Sequence, residues 1–206
     1  MKYDLFATSL ALAVATSATP TWAATTVGQP APAFTAMDTA GKAVSLADFK
    51  DKHVVLEWVN PGCPFVVKHY GSANMQGTQK EAAARGVVWL AVNSTAAEAT
   101  DFKSPAAMAQ WMQGHKAAAS ATLMDADGRV GRAYGARTTP HLYIINPAGT
   151  LVYAGAIDSN PSSNAGDIAG ATNHVKVALA ESLAGKSVST ATTKPYGCAV
   201  KYAPGA

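Results

Sequence analysis

The chain has 206 residues, 49% of them apolar and 14% charged, with a formal net charge of +3. This length and apolar content suit one domain with its own core plus an extension, and they exclude a disordered or fibrous chain. The Lys and Arg residues form no cluster, which argues against a nucleic-acid partner and against a basic membrane-binding patch.

The first residues have the pattern of an export signal. An apolar run at 5–14 is followed by small residues, and Thr21 and Ala23 occupy the −3 and −1 positions of a cleavage site before Ala24. The run is too short to span a bilayer comfortably. We therefore expect residues 1–23 to be a signal peptide and the mature protein to be soluble, periplasmic or otherwise exported, without stable membrane insertion. An uncleaved anchoring segment is the alternative.

The first half of the chain predicts a strand–helix–strand unit. The run at 53–59 is mostly apolar, as in a central strand, and the breaker at 60–62 ends it. A helix is expected from Pro64, because proline suits the first helical position. In chain order, the expected elements of this half are a strand at 42–46, the strand at 53–59, helices at 64–70 and 79–85, and a buried strand at 87–92.

The second half ends in an antiparallel hairpin. The further expected elements are a helix at 105–113 capped by Ser104, a strand at 121–124, a helical turn at 130–134, strands at 142–145 and 151–154, and a last helix at 168–183. The strand–helix–strand unit requires a parallel pair with a right-handed crossover. We therefore predict an α/β fold with a mixed central β-sheet and helices on both faces.

Cys63 is the strongest candidate for chemistry. It lies at the strand-to-helix turn immediately before Pro64, where unpaired backbone N–H groups and the helix dipole lower a thiol pKa. Lys68 and His69 are expected to add positive potential, and an inert or bridged cysteine is the alternative. The five histidines have no metal-ligand spacing, so no metal or other cofactor is expected. A soft metal such as copper held by Cys63 and His69 is the alternative to that expectation.

Three stretches resemble the redoxin branch of the thioredoxin-like superfamily, which includes the alkyl hydroperoxide reductase / thiol-specific antioxidant proteins. Residues 27–58 have the Pro-rich lead, Gly turn, Ser-Leu pair and apolar strand of that branch. Residues 60–70 (NPGCPFVVKHY) stand where its active cysteine is expected, and residues 134–156 are similar to its cis-proline strand and hairpin. The resemblance implies a thioredoxin fold with a redoxin-type N-terminal extension.

The resemblance also implies a substrate site around the cysteine. Pro140 is expected to be a cis-proline that faces Cys63, with backbone groups that pair with an extended substrate segment. Trp58 and Phe65 are expected to wall the site. The residues expected to contact the substrate are Trp58, Pro64, Phe65 and Thr139.

The chain departs from both of the mechanisms that it resembles. Val66 stands where thioredoxin-type enzymes carry the second cysteine of a Cys-x-x-Cys pair. Asn60 and Leu56 stand where peroxiredoxins carry residues that orient peroxide, and Pro140 stands where they carry an arginine, although Arg137 is nearby. The peroxide-orienting set is therefore absent.

Cys198 lies on a C-terminal tail, residues 186–206, which follows the redoxin domain at 24–185. Residues 185–193 are rich in Ser, Thr and small side chains, so little is expected to hold them in place. We expect Cys198 to pair with Cys63, either as a resolving cysteine or as a static bridge. Two free thiols are the alternative.

The predicted function is that of an exported thiol–disulfide oxidoreductase. Cys63 attacks a disulfide or receives one, Cys198 resolves the mixed disulfide, and Pro140 positions the partner, which is a protein or small-molecule disulfide or thiol. A separate reductant is also required. The alternatives are a peroxiredoxin-like thiol peroxidase, in which Cys63 passes through a sulfenic acid, and a non-catalytic thioredoxin-fold binding module with a structural Cys63–Cys198 disulfide.

Overall fold

The computed structural model describes residues 25–204, so the expected signal peptide at 1–23 lies outside the described residues. The strands are β1 (Thr35–Asp38), β2 (Ala43–Ser45), β3 (Val54–Trp58), β4 (Val88–Asn93), β5 (Ala121–Met124), β6 (Thr138–Thr139), β7 (His141–Ile145), β8 (Leu151–Gly155) and β9 (Cys198–Ala199). The helices are α1 (Pro64–Gly71), α2 (Asn74–Ala84), α3 (Pro105–Gly114), α4 (Arg129–Tyr134) and α5 (His174–Leu183), with 3₁₀ turns at Leu46–Phe49 and Ala165–Ile168.

The main sheet is mixed, as the sequence predicts. Its seven strands lie in the order β2-β1-β5-β4-β3-β7-β8. The run β3, β4 and β5 is parallel, whereas β7 pairs antiparallel with both β3 and β8. Every residue of β3 is buried, as expected for an inner strand that lies between β4 and β7. The turn that follows β3 lies at the carboxyl edge of the parallel strands.

Helices cover both faces of this sheet, which confirms the predicted α/β architecture. One core cluster contains side chains from α1, α2, α3 and α5, including Val66, Met75, Met108 and Val175. The other contains Val130 and Tyr134 of α4. The strands contribute alternate residues to each cluster, because successive side chains point to opposite faces.

Several elements differ from the sequence-based expectation, among them α2, which begins at Asn74 rather than at residue 79. The strand β1 was not expected, and it joins β2 to β5 by antiparallel pairing on both sides. The last helix begins at His174 rather than at residue 168, because the Asn173 side chain accepts a hydrogen bond from the Lys176 N–H and caps it there.

The expectation that little holds the tail at 185–193 is wrong. The Ala154 N–H of β8 donates to the Ala191 carbonyl at 3.0 Å, and the Ala156 N–H donates to Thr193 Oγ1 at 2.9 Å. Farther on, β9 forms a two-stranded antiparallel sheet with β6. The tail is therefore docked along the edge of the domain. Among the described residues, no helix combines the length and apolarity that crossing a membrane requires.

Candidate active site

Cys63 occupies the N-cap of α1, where the sequence places it. Its backbone is extended, at φ −88° and ψ 121°, and Pro64 is the first helical residue. The Cys63 N–H donates to the Asn60 carbonyl at 3.0 Å, and Asn60 Oδ1 accepts from the Gly62 N–H at 2.8 Å. These short-range bonds close the turn after β3 and fix the sulfur at the open N–H groups of the helix.

The Cys63 sulfur faces the loop that ends at Pro140. Its thiol donates to the Thr139 carbonyl oxygen at 2.9 Å, and the Thr139–Pro140 peptide bond is cis. The Thr139 hydroxyl is buried and has no hydrogen-bond partner. The loop thus presents a carbonyl acceptor to the sulfur and holds an unpartnered hydroxyl in the same residue.

Cys198 lies directly on this site. In the antiparallel pairing of β6 with β9, Thr139 is opposite Cys198 and Thr138 is opposite Ala199. Cys198 also packs against the core cluster that contains Cys63, and each thiol shifts the pKa of the other. Both cysteines are free thiols in this structure, with Cys63 only 1% exposed and Cys198 partly exposed. The tail therefore brings the second cysteine beside the first.

The environment separates the pKa values of the two thiols. Burial alone raises the pKa of Cys63, but the nearby Cys198 thiol, Thr139 side chain and Val66 N–H favour the thiolate and outweigh burial, so the net shift of this pKa is downward. Burial, the hydrogen bond to Cys63 and the negative charge of Cys63 together raise the pKa of Cys198. Cys63 is thus the more acidic thiol of the pair, and Cys198 is the less acidic one.

Lys68 and His69 do not supply the positive potential that the sequence suggested. Burial lowers the pKa of His69 to about 4, despite the opposing effect of Asp158, so its ring is neutral near pH 7. The Lys68 ammonium lies 3.7 Å from Asp158 Oδ2, and neither side chain has more than 2% exposure. Its charge is therefore neutralised locally.

These residues belong to a buried group that we call the Asp158 cluster: Asp158, Lys68, His69, Tyr196 and Asn74. Asn74 Nδ2 donates to His69 Nδ1 at 2.8 Å, and His69 Nε2 lies 3.2 Å from the Tyr196 hydroxyl. The Tyr196 hydroxyl in turn donates to Asp158 Oδ1 in a short hydrogen bond. The cluster connects α1, which carries Cys63, to the tail, which carries Cys198.

The residues expected to contact the substrate do not all reach the site. Pro64 is exposed beside Cys63, and Phe65 is half-buried with its ring 5.7 Å from that of Tyr196. Trp58 is a correction: it is 0% exposed, packs in the opposite core cluster, and donates from Nε1 to Ser94 Oγ at 2.9 Å. The alternation of side chains along a strand could have predicted this placement. Val55 and Val59 lie in the core cluster that contains Cys63, whereas Trp58 lies on the other face of the sheet.

Sequence reasoning missed Tyr196 and Gly197, which precede Cys198. Gly197 has φ +136°, and a Cβ there would overlap the Thr139 carbonyl group, so only glycine lets the tail approach the loop. The Pro-Tyr-Gly-Cys order was the available signal, because a glycine next to a cysteine indicates a close backbone approach.

Glu57 was also missed. This carboxylate is 0% exposed and accepts from the Tyr70 hydroxyl at 2.9 Å and from Trp89 Nε1 at 2.7 Å. Burial raises its pKa to about 7, against the lowering effect of its hydrogen-bond donors. A single carboxylate within an apolar strand was the signal for a buried polar network.

His141 is the first residue of β7, and its side chain is buried. Its Nδ1 lies 3.3 Å from the Arg137 N–H and 3.1 Å from the Tyr143 hydroxyl. Burial and the Arg137 charge lower its pKa to about 3. Within residues 25–204, no three His, Cys, Asp or Glu side chains are grouped as a metal site requires.

Comparison with known proteins places this geometry in context. A sequence model of the AhpC/TSA family matches residues 27–154, more than half of the chain. A search of curated proteins found no significant match.

Solved structures share the fold over most of the chain. A hypothetical protein from Sinorhizobium meliloti has 26% identity and a TM-score of 0.75, over 89% of this chain and 98% of that one. An uncharacterised conserved protein from Geobacillus kaustophilus has 29% identity and a TM-score of 0.75, over 88% and 94%. The thioredoxin domain of a thiol-disulfide oxidoreductase from Bacteroides vulgatus has 25% identity and a TM-score of 0.50, over 64% and 89%.

Proposed function

Because the chain belongs to the AhpC/TSA family and has a thioredoxin-like fold, we propose that it is a thiol–disulfide oxidoreductase whose redox pair is Cys63 and Cys198. The observation that supports this most directly is the pairing of Cys198 with Thr139, which places the second cysteine beside Cys63 and cis-Pro140. The pKa of Cys63 is lowered and that of Cys198 is raised. This difference suits thiol–disulfide exchange, because Cys63 can act as the nucleophile while Cys198 keeps its proton until it is needed.

The proposed cycle begins with the Cys63 thiolate. It attacks one sulfur of a partner disulfide, the partner S–S bond breaks, and the leaving sulfur departs as a thiolate that takes up a proton. Cys198 then loses its proton and attacks the Cys63 sulfur of the mixed disulfide. The partner leaves as a second thiol, and the Cys63–Cys198 disulfide holds the oxidised form. Two electrons pass from the cysteine pair to the partner, and an external dithiol restores the pair.

The residues around the sulfur have distinct proposed roles. Thr139 and the Val66 N–H are proposed to stabilise the thiolate, since both lower the pKa of Cys63. Pro140 and the β6 backbone position the partner segment, and Pro64 and Phe65 border it. The partner in this scheme is a protein or small-molecule disulfide.

We also propose that the protein works outside the cytoplasm after removal of residues 1–23. The apolar run at 5–14 and the small residues before Ala24 support this. The N-terminal sequence of the protein recovered from the periplasmic fraction of an expressing bacterium tests it. An N-terminus at Ala24 is expected, and an intact Met1 would contradict the proposal.

The redox proposal is tested by equilibrating the wild-type protein with oxidised and reduced dithiothreitol and quantifying the disulfide by mass spectrometry. A reversible Cys63–Cys198 disulfide is expected, with a potential above about −300 mV, since structural disulfides in secreted proteins lie lower. With a partner disulfide, Cys198→Ser should accumulate a mixed disulfide on Cys63, whereas Cys63→Ser should accumulate none.

Two results would favour the alternatives. If Cys198→Ser lost several kcal/mol of stability while turning over substrate as before, the bridge would be a structural staple. If hydrogen peroxide oxidised Cys63 orders of magnitude faster than an ordinary thiolate, the protein would be a thiol peroxidase.

A further inference from the structure

The proposed reaction requires a partner to reach Cys63, yet the docked tail covers this sulfur. Cys63 is 1% exposed, and β9 occupies the edge of β6 directly over it. We call residues 194–202 the strap. Displacement of the strap must therefore precede any contact between a partner and the Cys63 sulfur.

The strap is held on both sides of Cys198. On the downstream side, the Ala96 N–H donates to the Lys201 carbonyl at 2.8 Å, and the Lys201 ammonium lies 2.7 Å from Asp101 Oδ2. That ion pair is partly exposed, at 46% for Lys201 and 21% for Asp101, so water screens it. The Val200 N–H also donates to the Arg137 carbonyl at 3.0 Å, and the Tyr202 hydroxyl donates to the Ala136 carbonyl at 2.8 Å. The downstream side is therefore held mainly by hydrogen bonds to backbone carbonyls.

Tyr196 attaches the strap to a buried carboxylate on the upstream side. Its hydroxyl donates to Asp158 Oδ1, and its ring lies 5.7 Å from the ring of Phe65 on α1 and 5.7 Å from the Lys68 ammonium. Asp158 is itself held in place, because Oδ1 accepts from the Asn160 N–H at 3.0 Å and the Lys68 charge lies nearby. A hydrogen bond from a hydroxyl to a buried carboxylate is among the stronger kinds in proteins.

On this basis, and resting on the proposed function, we propose that Tyr196 is the latch of a gate: its contact with Asp158 holds the strap over Cys63, and a partner disulfide reaches Cys63 only after that contact breaks. Tyr196 is a positioning residue in this scheme. It touches neither the partner nor the reacting bond, and it sets how often the sulfur is available.

The consequence for reactivity follows from the closed state. When opening is rapid and rare, the observed rate of attack on a partner equals the rate of the open form multiplied by its population. Removing the latch hydroxyl raises that population and does not alter the neighbours of the sulfur on α1 and β6. Tyr196→Phe therefore changes the observed rate through the population of the open form.

The test uses the full chain with Cys198→Ser, so that Cys63 is the only thiol. The probe is a single-cysteine peptide joined by a disulfide to thionitrobenzoate. The Cys63 thiolate attacks the peptide sulfur, the S–S bond breaks, and coloured thionitrobenzoate leaves. Tyr196→Phe is compared with Tyr134→Phe, which loses a hydroxyl that donates to the Pro32 carbonyl at 2.8 Å, a partner outside the strap.

The expected result is a second-order rate for Tyr196→Phe at least tenfold above that of the parent, with Tyr134→Phe within twofold of it. Hydrogen exchange at the β6 and β9 amides should also accelerate only in Tyr196→Phe. A Tyr196→Phe rate within twofold of the parent, or an equal acceleration in Tyr134→Phe, would overturn the gate.

Failure of the gate is separable from failure of the redox function. If the wild-type protein forms the reversible Cys63–Cys198 disulfide but Tyr196→Phe does not accelerate the reaction, the gate is wrong and the redox function stands. A wild-type protein that forms no such disulfide overturns the redox function and the gate that rests on it.

Discussion

The backbone of Gly197 lies against the carbonyl group of Thr139, with no space for a side chain between them. A Cβ on Gly197 would come within 2.7 Å of the Thr139 carbonyl carbon and 3.3 Å of the Pro140 nitrogen. This approach lets β9 pair with β6 and brings the following residue, Cys198, to Cys63. The geometry of the sulfur pair thus depends on one glycine in the tail.

Gly197→Ala is expected to weaken the Cys63–Cys198 disulfide. The added Cβ overlaps the Thr139 carbonyl only while the strap is docked. The dithiol form can relieve this overlap because the strap is free to undock, whereas the disulfide bond keeps the strap docked in the oxidised form. The equilibrium constant for disulfide formation should fall about tenfold or more, a rise in potential of about 30 mV. Redox titration measures this. Gly170→Ala, where a Cβ has nothing within 4 Å, should leave the potential unchanged, and equal potentials in both variants would contradict the argument.

The pKa of Cys63 is expected to depend on the Cys198 thiol. That thiol is the largest of the hydrogen-bond contributions that lower the pKa of Cys63. Cys198→Ala removes the donor and should raise the pKa, whereas Cys198→Ser retains a hydroxyl donor and should stay closer to the wild type. The ultraviolet absorbance of the thiolate, titrated against pH, measures the value. Identical titration curves for the Ala and Ser variants would show that the sulfur contact has no electrostatic effect.

Hydrogen peroxide is expected to oxidise Cys63 slowly, near the rate of an ordinary thiolate. The Asn60 amide, which stands at a peroxidase motif position, is tied up by the Asp101 carboxylate at 2.8 Å, and Pro140 stands at the arginine position. Stopped-flow tryptophan fluorescence on the reduced protein follows the oxidation, with Cys63→Ser as the control. If a much faster phase that requires Cys63 were observed, peroxide rather than a disulfide would be the preferred substrate.

Glu57→Gln is expected to change how stability depends on pH. Burial raises the folded-state pKa of Glu57 from 4.5 to about 7, so the folded protein retains this proton over a wider range than the unfolded chain. The contribution of Glu57 is therefore fully present below about pH 4.5 and is lost as the pH rises through 7. Relative to the glutamine variant, the wild type should lose on the order of 3 kcal/mol between those limits.

Urea unfolding at several pH values measures this difference. The glutamine amide can still accept from Trp89 and donate to the Tyr70 oxygen, so the variant should fold. The buried histidines His69 and His141 are present in both proteins and cancel in the comparison. Parallel stability profiles for the two proteins would contradict a raised pKa at Glu57.

The sequence predicted much of the fold and the position of Cys63, because both depend on residues that are close together along the chain. The apolar run of β3, the breaker after it and Pro64 together place Cys63 at a helix start. The mixed sheet followed from the order of the elements. The cis form of Pro140 was implied only by the family resemblance, and the structure contains it.

Only the tertiary structure determined the surroundings of Cys63. Trp58 packs in the opposite core cluster, Asp158 neutralises the charge of Lys68, and Cys198 lies beside Cys63. Each of these outcomes is a contact between residues far apart in sequence, or a choice between two faces of a strand. Short-range patterns do not encode such contacts, because burial and the docking of the strap depend on the whole packed domain.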